Sequence, residues 1–457
     1  MPRRAGSDRW SLDGLMRIPR LCVTPTQARE DAARVRALLG QRNIKYGRWT
    51  YTCELVPALL SLEERATIGA AAEAIIQAAE LVTEYVVQDP AWQRRLGFAD
   101  EFWSLVKCAS GYGMNIPCAR FDGVVTPDGF RFIELNTDGC SGMSNVDGMH
   151  AAYMEVCGRE STYGLQSAWY DEIVPRVLDT LLRCYERFRA TFADSGLPEE
   201  PVVGILDLPD EPTHWEFSAI RDALIARGIA AYVVTPASAA FDGRRLTFDN
   251  HAVHLIYRRL LGSDYANHLS ELKAVSGAFV ARRVCMVGAL RSQIAFTKQL
   301  FAFLHQPELQ ELLPPDLKEV VCRYVPWTAH LQAGRAQYRG EMIDVIPFVR
   351  AHREQFVLKP CVSKLGFGIV QGRFVDQETW HSAIEEAVRK DYVVQEFVEL
   401  PTAEFPTPDD PETLTIRYVH LGPYVFGGSF CGFMGRTCAS PLLSLRSGER
   451  LLPVLYQ

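Results

Sequence analysis

Arg120-Phe-Asp-Gly-Val-Val-Thr-Pro-Asp-Gly-Phe-Arg-Phe-Ile-Glu-Leu-Asn-Thr-Asp-Gly139 decides the reading of this chain. Apolar residues flank Pro127-Asp128-Gly129, a run of strong turn formers, so the stretch reads as two strands joined by a tight turn. Asp122 sits near the start of the first strand, and Glu134 and Asn136 near the end of the second. Residues two apart on a strand share a face, so Glu134 and Asn136 point together, and a tight hairpin can bring Asp122 to them. Two carboxylates and one amide oxygen are hard ligands of the kind that hold magnesium, which completes its shell with water and nucleotide phosphates. Arg120 shares the face of Asp122, where a guanidinium can neutralise charge on a transferring phosphoryl group. The plain alternative is an exposed hairpin with one polar face. Against it, Glu134 follows Phe132 and Ile133, where an unpaired carboxylate would be costly. Beyond Asn136, the run Asp138, Gly139, Ser141 and Gly142 suggests a loop closing over a ligand, with Asp138 and Ser141 as substrate contacts.

A second segment, Phe356-Val-Leu-Lys359, ends an apolar strand on a lysine, which is unusual unless the charge meets an anion. Ser363, Lys364, Gly366 and Gly368 follow. Glycines there let backbone N–H groups approach phosphate oxygens, although an ordinary hairpin turn would use the same residues. The pattern is not that of a P-loop. Further on, Tyr392-Val-Val reads as a strand whose polar end, Gln395-Glu396-Phe397-Val398, can offer backbone donors and acceptors to an adenine; a plain edge strand is the alternative. Lys298 opens an amphipathic helix, a position that is commonly solvent-exposed.

Outward from these segments, Thr26 to Leu39 reads as a helix. Ser61 to Val87 reads as one long helix or two, with Ser61 and Glu64 as a capping box. Tyr170 to Ser195 is helical. Val202 to Leu206, Trp215 to Arg227, Ala230 to Val234 and Val253 to Tyr257 form a strand–helix–strand–strand unit with parallel pairing. Tyr257-Arg258-Arg259 ends the last of these strands, where ligand clefts of such units lie, so these three residues are candidates for carboxylate recognition. From Lys298 onward helices alternate with short strands. The fold class is α/β, with expected units at 1–198, 199–296 and 297–457.

The 457 residues are 48% hydrophobic and 23% charged, with net charge -7, a composition that supports a large core. The acidic balance argues against a nucleic-acid partner. No apolar run reads as long enough to span a bilayer, and Met1 to Asp8 is basic without an apolar run behind it, so the expectation is a cytoplasmic protein without a membrane partner. Twelve cysteines are scattered without a C-x-x-C pair, which points to reduced thiols rather than a zinc site or disulfide framework. Cys140 and Cys118 lie near the proposed site, but a nucleophilic cysteine needs a positive environment or a histidine, and His150 is the nearest one.

Taken together, these segments resemble the ATP-grasp superfamily. Arg120-x-Asp122, a turn, and Glu134-x-Asn136 look like the magnesium hairpin of D-alanine–D-alanine ligases. Lys298, Lys359, loop 363–368 and Gln395-Glu396-Phe397-Val398 look like the nucleotide clamp. The clamp follows the hairpin here, the order of circularly permuted members such as glutathionylspermidine synthetases, and Gly427 to Thr437, with Arg436, resembles their late glycine- and arginine-containing segment. The loop after Asn136 departs from that family, and no amidase-like part precedes the hairpin. The resemblance implies an ATP-grasp core in permuted order with a small pre-ATP-grasp-like domain. It also implies ATP and Mg2+ as cofactors, small-molecule carboxylate and amine substrates (amino acid, peptide or polyamine), and catalytic roles for Arg120, Lys364 and Arg436. The expected chemistry is amide formation through an acyl phosphate, releasing ADP. The rivals are a kinase that stops at phosphorylation and a non-catalytic nucleotide-binding scaffold.

Overall fold

The computed structural model describes the chain except residues 1–10, 13–15, 20, 22, 159–164, 166, 364–365 and 442–447. Lys364, a candidate catalytic residue, therefore lies outside the described residues. The structure is a mixed α/β fold. The long helix α1 (Leu62–Gln88) is single and starts at the expected capping box, Ser61 accepting from the Glu64 amide while Glu64 bonds back to the Ser61 amide. It buries Ile68, Ala72, Ile75, Ala79, Val82 and Val86, spaced three and four apart, in the main core. By length and composition α1 could cross a bilayer, contrary to the expectation that no run would; 56% of its most apolar window is buried inside the protein.

The hairpin forms as read, with β1 (Cys118–Thr126) and β2 (Gly129–Asn136) antiparallel around Pro127-Asp128. After it come α2 (Met143–Cys157), then β3 (Val203–Leu206), α3 (His214–Ala226), β4 (Ala231–Val234), β5 (Leu255–Arg258) and β6 (Cys285–Val287). These four strands form an all-parallel sheet in the order β6-β5-β3-β4. The short helix α4 (Gln299–Leu304) begins at Lys298. It is buried on every side, not amphipathic, and Lys298 itself is 8% exposed, so the expected surface position is corrected. A second mixed core lies under the sheet β7 (Thr328–His330), β8 (Phe356–Pro360), β9 (Val370–Gln371) and β10 (Tyr392–Glu396), ordered β7-β10-β8-β9, where α5 (Gln377–Val388) inserts Trp380 and Ile384 against Phe356 and Leu358.

The C-terminal stretch departs from the expected short strands. There β11 (Thr402–Pro406) is followed by two long strands, β12 (Leu414–Phe426) and β13 (Ser429–Cys438), and by β14 (Arg450–Leu452). They join the hairpin in one six-stranded sheet, ordered β14-β13-β12-β1-β2, with β11 on the free part of β12. Their near-continuous apolar character hid them as strands, because both faces of this sheet are covered. This sheet and the sheet carrying Lys359 face each other across the candidate site.

Candidate functional site

The hairpin's carboxylates converge because of one extra residue. From the turn, Thr126 faces Gly129 and Gly123 faces Phe132 in a regular ladder. Continued without interruption, that ladder would set Asp122 against Ile133 and Glu134 on the opposite face. A bulge at Ile133 shifts the register, so that Asp122 lies directly opposite Glu134 and Arg120 opposite Asn136. The bulge also frees the Ile133 carbonyl, which accepts a hydrogen bond from Lys359 Nζ at 2.9 Å. Lys359 reaches it from β8, 7% exposed, and donates also to Gln395 Oε1 at 2.7 Å. Burial lowers its pKa to about 8, reinforced by Lys298 and opposed by Glu134. Lys298 stands behind the hairpin with its Nζ 3.2 Å from Glu134 Oε1.

On the far side, Arg436 of β13 holds Asp122 Oδ1 at 2.7 Å and Arg120 approaches it at 3.4 Å. Burial pushes the Asp122 carboxyl up, but the two guanidinium groups, Arg436 first, outweigh burial and hold it at about 2. Arg120 also donates to the Ser141 carbonyl at 2.9 Å. A cavity of about 280 Å3 opens over these groups. Arg120, Asp122, Glu134, Asn136, Asp138, Ser141, Lys359, Ser363, Gly366, Gln395, Glu396, Phe397, Val398 and Arg436 all line it. Apolar walls come from Val357, Ile369 and Leu400. Glu396 has its carboxylate bound by Tyr338 Oη at 3.0 Å and by Arg339, so this residue offers the cavity its backbone. Gly368, at φ 77°, packs where a Cβ would meet Pro360 at 2.8 Å, closing the strand end rather than the cavity wall.

The residues after Asn136 are held from beneath. Asp138 pairs with Arg258, and its carboxylate also accepts from Ser292 Oγ at 3.0 Å and the Gly262 amide at 2.6 Å. Arg259 binds Glu216 at 2.7 Å and the carbonyls of Cys140 and Gly139 at 2.5 and 3.3 Å, with the Tyr257 hydroxyl at 3.0 Å. Glu216 in turn accepts from the Gly142 amide at 2.7 Å, at the start of α2. Gly139, at φ 54°, lies so close that a Cβ would meet the Arg259 carbonyl at 2.6 Å. Tyr257, Arg258 and Arg259, expected at the cleft, are thus buried behind the loop and do not line the cavity. Their hydrogen-bonding groups hold the loop in place and are not directed at a ligand.

Two titratable cavity residues, His420 and Glu449, were not foreseen, whereas Cys140 was weighed from the sequence. Cys140 lines the cavity, but burial pushes its thiol up to about 11, so it is no thiolate. His150 does not line the cavity, its Nε2 accepting from the Val454 amide at 3.0 Å. His420 and Glu449 line the wall beside Arg436. Among the described residues no three His, Cys, Asp or Glu side chains gather as a metal centre. The set of two opposed carboxylates and the Asn136 amide oxygen nonetheless has the hard-oxygen chemistry that would suit a magnesium ion taking its other ligands from phosphates and water.

No protein-family model and no curated protein matches the chain. Among solved structures, it is similar to a glutathione synthetase-like effector from Globodera pallida, at 12% identity, over 96% of this chain and 99% of the other, with a TM-score of 0.62. A D-alanyl-alanine synthetase A from Vibrio cholerae aligns with 49% of this chain and 67% of its own, at 12% identity and a TM-score of 0.25. The first of these likenesses shows a shared mixed α/β fold, end to end, with a glutathione synthetase-like protein.

Proposed function

We propose that this chain is an ATP-dependent carboxylate–amine ligase with an ATP-grasp core in circularly permuted order. One observation carries the reading. Asp122, Glu134 and Asn136, aligned by the Ile133 bulge, share a cavity with the buried Lys359 and the Gln395–Val398 segment. ATP binds between β8 and that segment, its adenine against Val357, Ile369 and Leu400 and its phosphates toward Lys359. Asp122, Glu134 and Asn136 would hold a magnesium ion, which would supply charge neutralisation for the nucleotide phosphates. The substrate carboxylate attacks the γ-phosphorus, giving an acyl phosphate and ADP. The amine then attacks the acyl carbon and phosphate leaves. Lys359, Lys298 and Arg120 stabilise the transferring charge in a water-poor site. Arg436, bound to Asp122, stands beside the phosphoryl site and would share with Arg120 the neutralisation of its charge. Lys364 is proposed as a further cation of loop 363–368. Asp138 and Ser141 form the wall that shapes the acid site, with Arg258 and Arg259 positioning it.

The test is a screen for ADP release over amino acids, short peptides and polyamines, with hydroxylamine as a small nucleophile. A hydroxamate formed together with ADP supports the acyl phosphate. AMP and pyrophosphate would contradict it. ADP with a stable phosphorylated product, indifferent to amines, would favour a kinase.

A further inference from the structure

Resting on that reading, we propose that His420 and Glu449 form the subsite that takes the primary ammonium group of the amine substrate. Glu449 lines the cavity just ahead of β14, and its side chain is 7% exposed. Among the described residues its nearest cation is Arg436, at 3.9 Å, beyond hydrogen-bond length. Arg436 makes its close contact with Asp122 instead. The carboxylate is therefore buried beside a cation committed elsewhere, and burial keeps its carboxyl above the ordinary range despite Arg436. Such a group calls for a positive partner.

His420 supplies the second observation. It lies opposite Arg436 in the β12–β13 ladder, is 3% exposed and lines the same cavity. Neither of its ring nitrogens has a hydrogen-bond partner, although buried polar groups are ordinarily satisfied. Burial, with Arg436 beside it, keeps the ring neutral, so one ring nitrogen carries a free lone pair. A primary ammonium has three donors and no acceptor. It can bond the Glu449 carboxylate and the imidazole lone pair together. An anion at the same point would meet Glu449 and Asp122. The ammonium can belong to an amino acid, whose own carboxylate would then face Arg436 and Arg120, or to a polyamine.

Histidine-labelled full-length protein, with magnesium and a non-hydrolysable ATP analogue bound, tests this by NMR. The ring signal that disappears in His420→Gln is followed during titration with glycine, L-lysine, 1,4-diaminobutane or acetate. The expected result is a saturable shift with an amine. Glu449→Gln should weaken the amine at least ~10-fold, the loss of one charge-assisted hydrogen bond, with the remaining histidine signals in place. Response to glycine or lysine alone identifies an amino acid, and response to diaminobutane identifies a polyamine. The wild-type titration stands even if a variant fails to fold. No shift with any amine, or an equal shift with acetate, would overturn the subsite. A shift without ADP release in the substrate screen would retire the ligase reading alone. ADP release with hydroxamate formation but no shift would retire the subsite alone.

Discussion

Replacing Lys359 by Met separates a nucleotide-binding lysine from a structural one. In the free protein its ammonium is held by Gln395 and the Ile133 carbonyl, and burial lowers its pKa from 10.5 to about 8. That fall corresponds to roughly 3 kcal/mol of unfavourable charging. The unfolded chain keeps this proton up to about 10.5, so between about 8 and 10.5 it binds more protons than the folded one, and stability contributed by this group rises with pH. A triphosphate beside the lysine reverses the effect and restores the proton. At pH 9, where ATP is fully ionised, binding should take up about 0.9 proton per ATP, falling to about 0.1 at pH 7. Calorimetry in two buffers of different ionisation enthalpy measures this uptake directly. Lys359→Met should abolish the uptake at pH 9 and weaken ATP by ~10- to 150-fold, the worth of one charge-assisted hydrogen bond. Its melting temperature should move little, because removing a buried charge offsets the two orphaned acceptors. Unchanged affinity with no proton uptake at pH 9 would refute the argument and put the phosphates elsewhere.

Glu134→Gln keeps shape but removes a carboxylate that faces both Asp122 and Lys298; turnover should fall by at least ~100-fold, in line with loss of several kcal/mol of metal-assisted stabilisation, while circular dichroism stays native. Deleting Ile133 should give a regular ladder that keeps Glu134 opposite Asp122 and Asn136 opposite Arg120, so magnesium-dependent ATP binding should survive in a chain that still folds; its complete loss would mean that the bulge itself is required. Asp138→Asn should lower stability by ~3–5 kcal/mol, because it leaves Arg258 buried without its counter-charge; denaturant titration measures this, and a loss below about 1 kcal/mol would mean that the pair contributes little.

Much of the architecture could be read from local chemistry. The capping box at Ser61 marked the start of α1, Pro127-Asp128-Gly129 marked the hairpin, and the alternation from Val202 to Tyr257 marked the parallel unit. What escaped was register. A second bulge, between Tyr424 and Val425, sets His420 opposite Arg436. A strand pair closed about Gly427-Gly428 without it would put Val419 there and turn His420 away. Nothing in the residue types announces either bulge. Burial of Lys298 escaped for a similar reason, since its partner, Glu134, lies far away in sequence. Arg258 and Arg259 were visible as a strand end, but that their charges would meet Asp138 and Glu216 depended on packing across the α/β unit.

The bulge at Ile133 divides the hairpin into two segments of opposite phase. Toward the turn, the alternation serves packing, with Phe130 and Phe132 in the core; beyond Ile133 it serves the ligands. Changes in the length of the tip that add or remove one residue on each strand leave both phases intact, so Pro127-Asp128 can be extended without disturbing Asp122 or Glu134. A residue lost at the bulge is absorbed, because Glu134 then follows Phe132 and still lies opposite Asp122; a residue lost or gained between Gly129 and Phe132 instead shifts the apolar alternation. Related chains that keep this chemistry should therefore vary freely in hairpin length, with or without the unpaired residue, but keep an apolar residue opposite Gly123 and an acid opposite Asp122, a pairing rule that sequence similarity at the level of residue identity would not reveal.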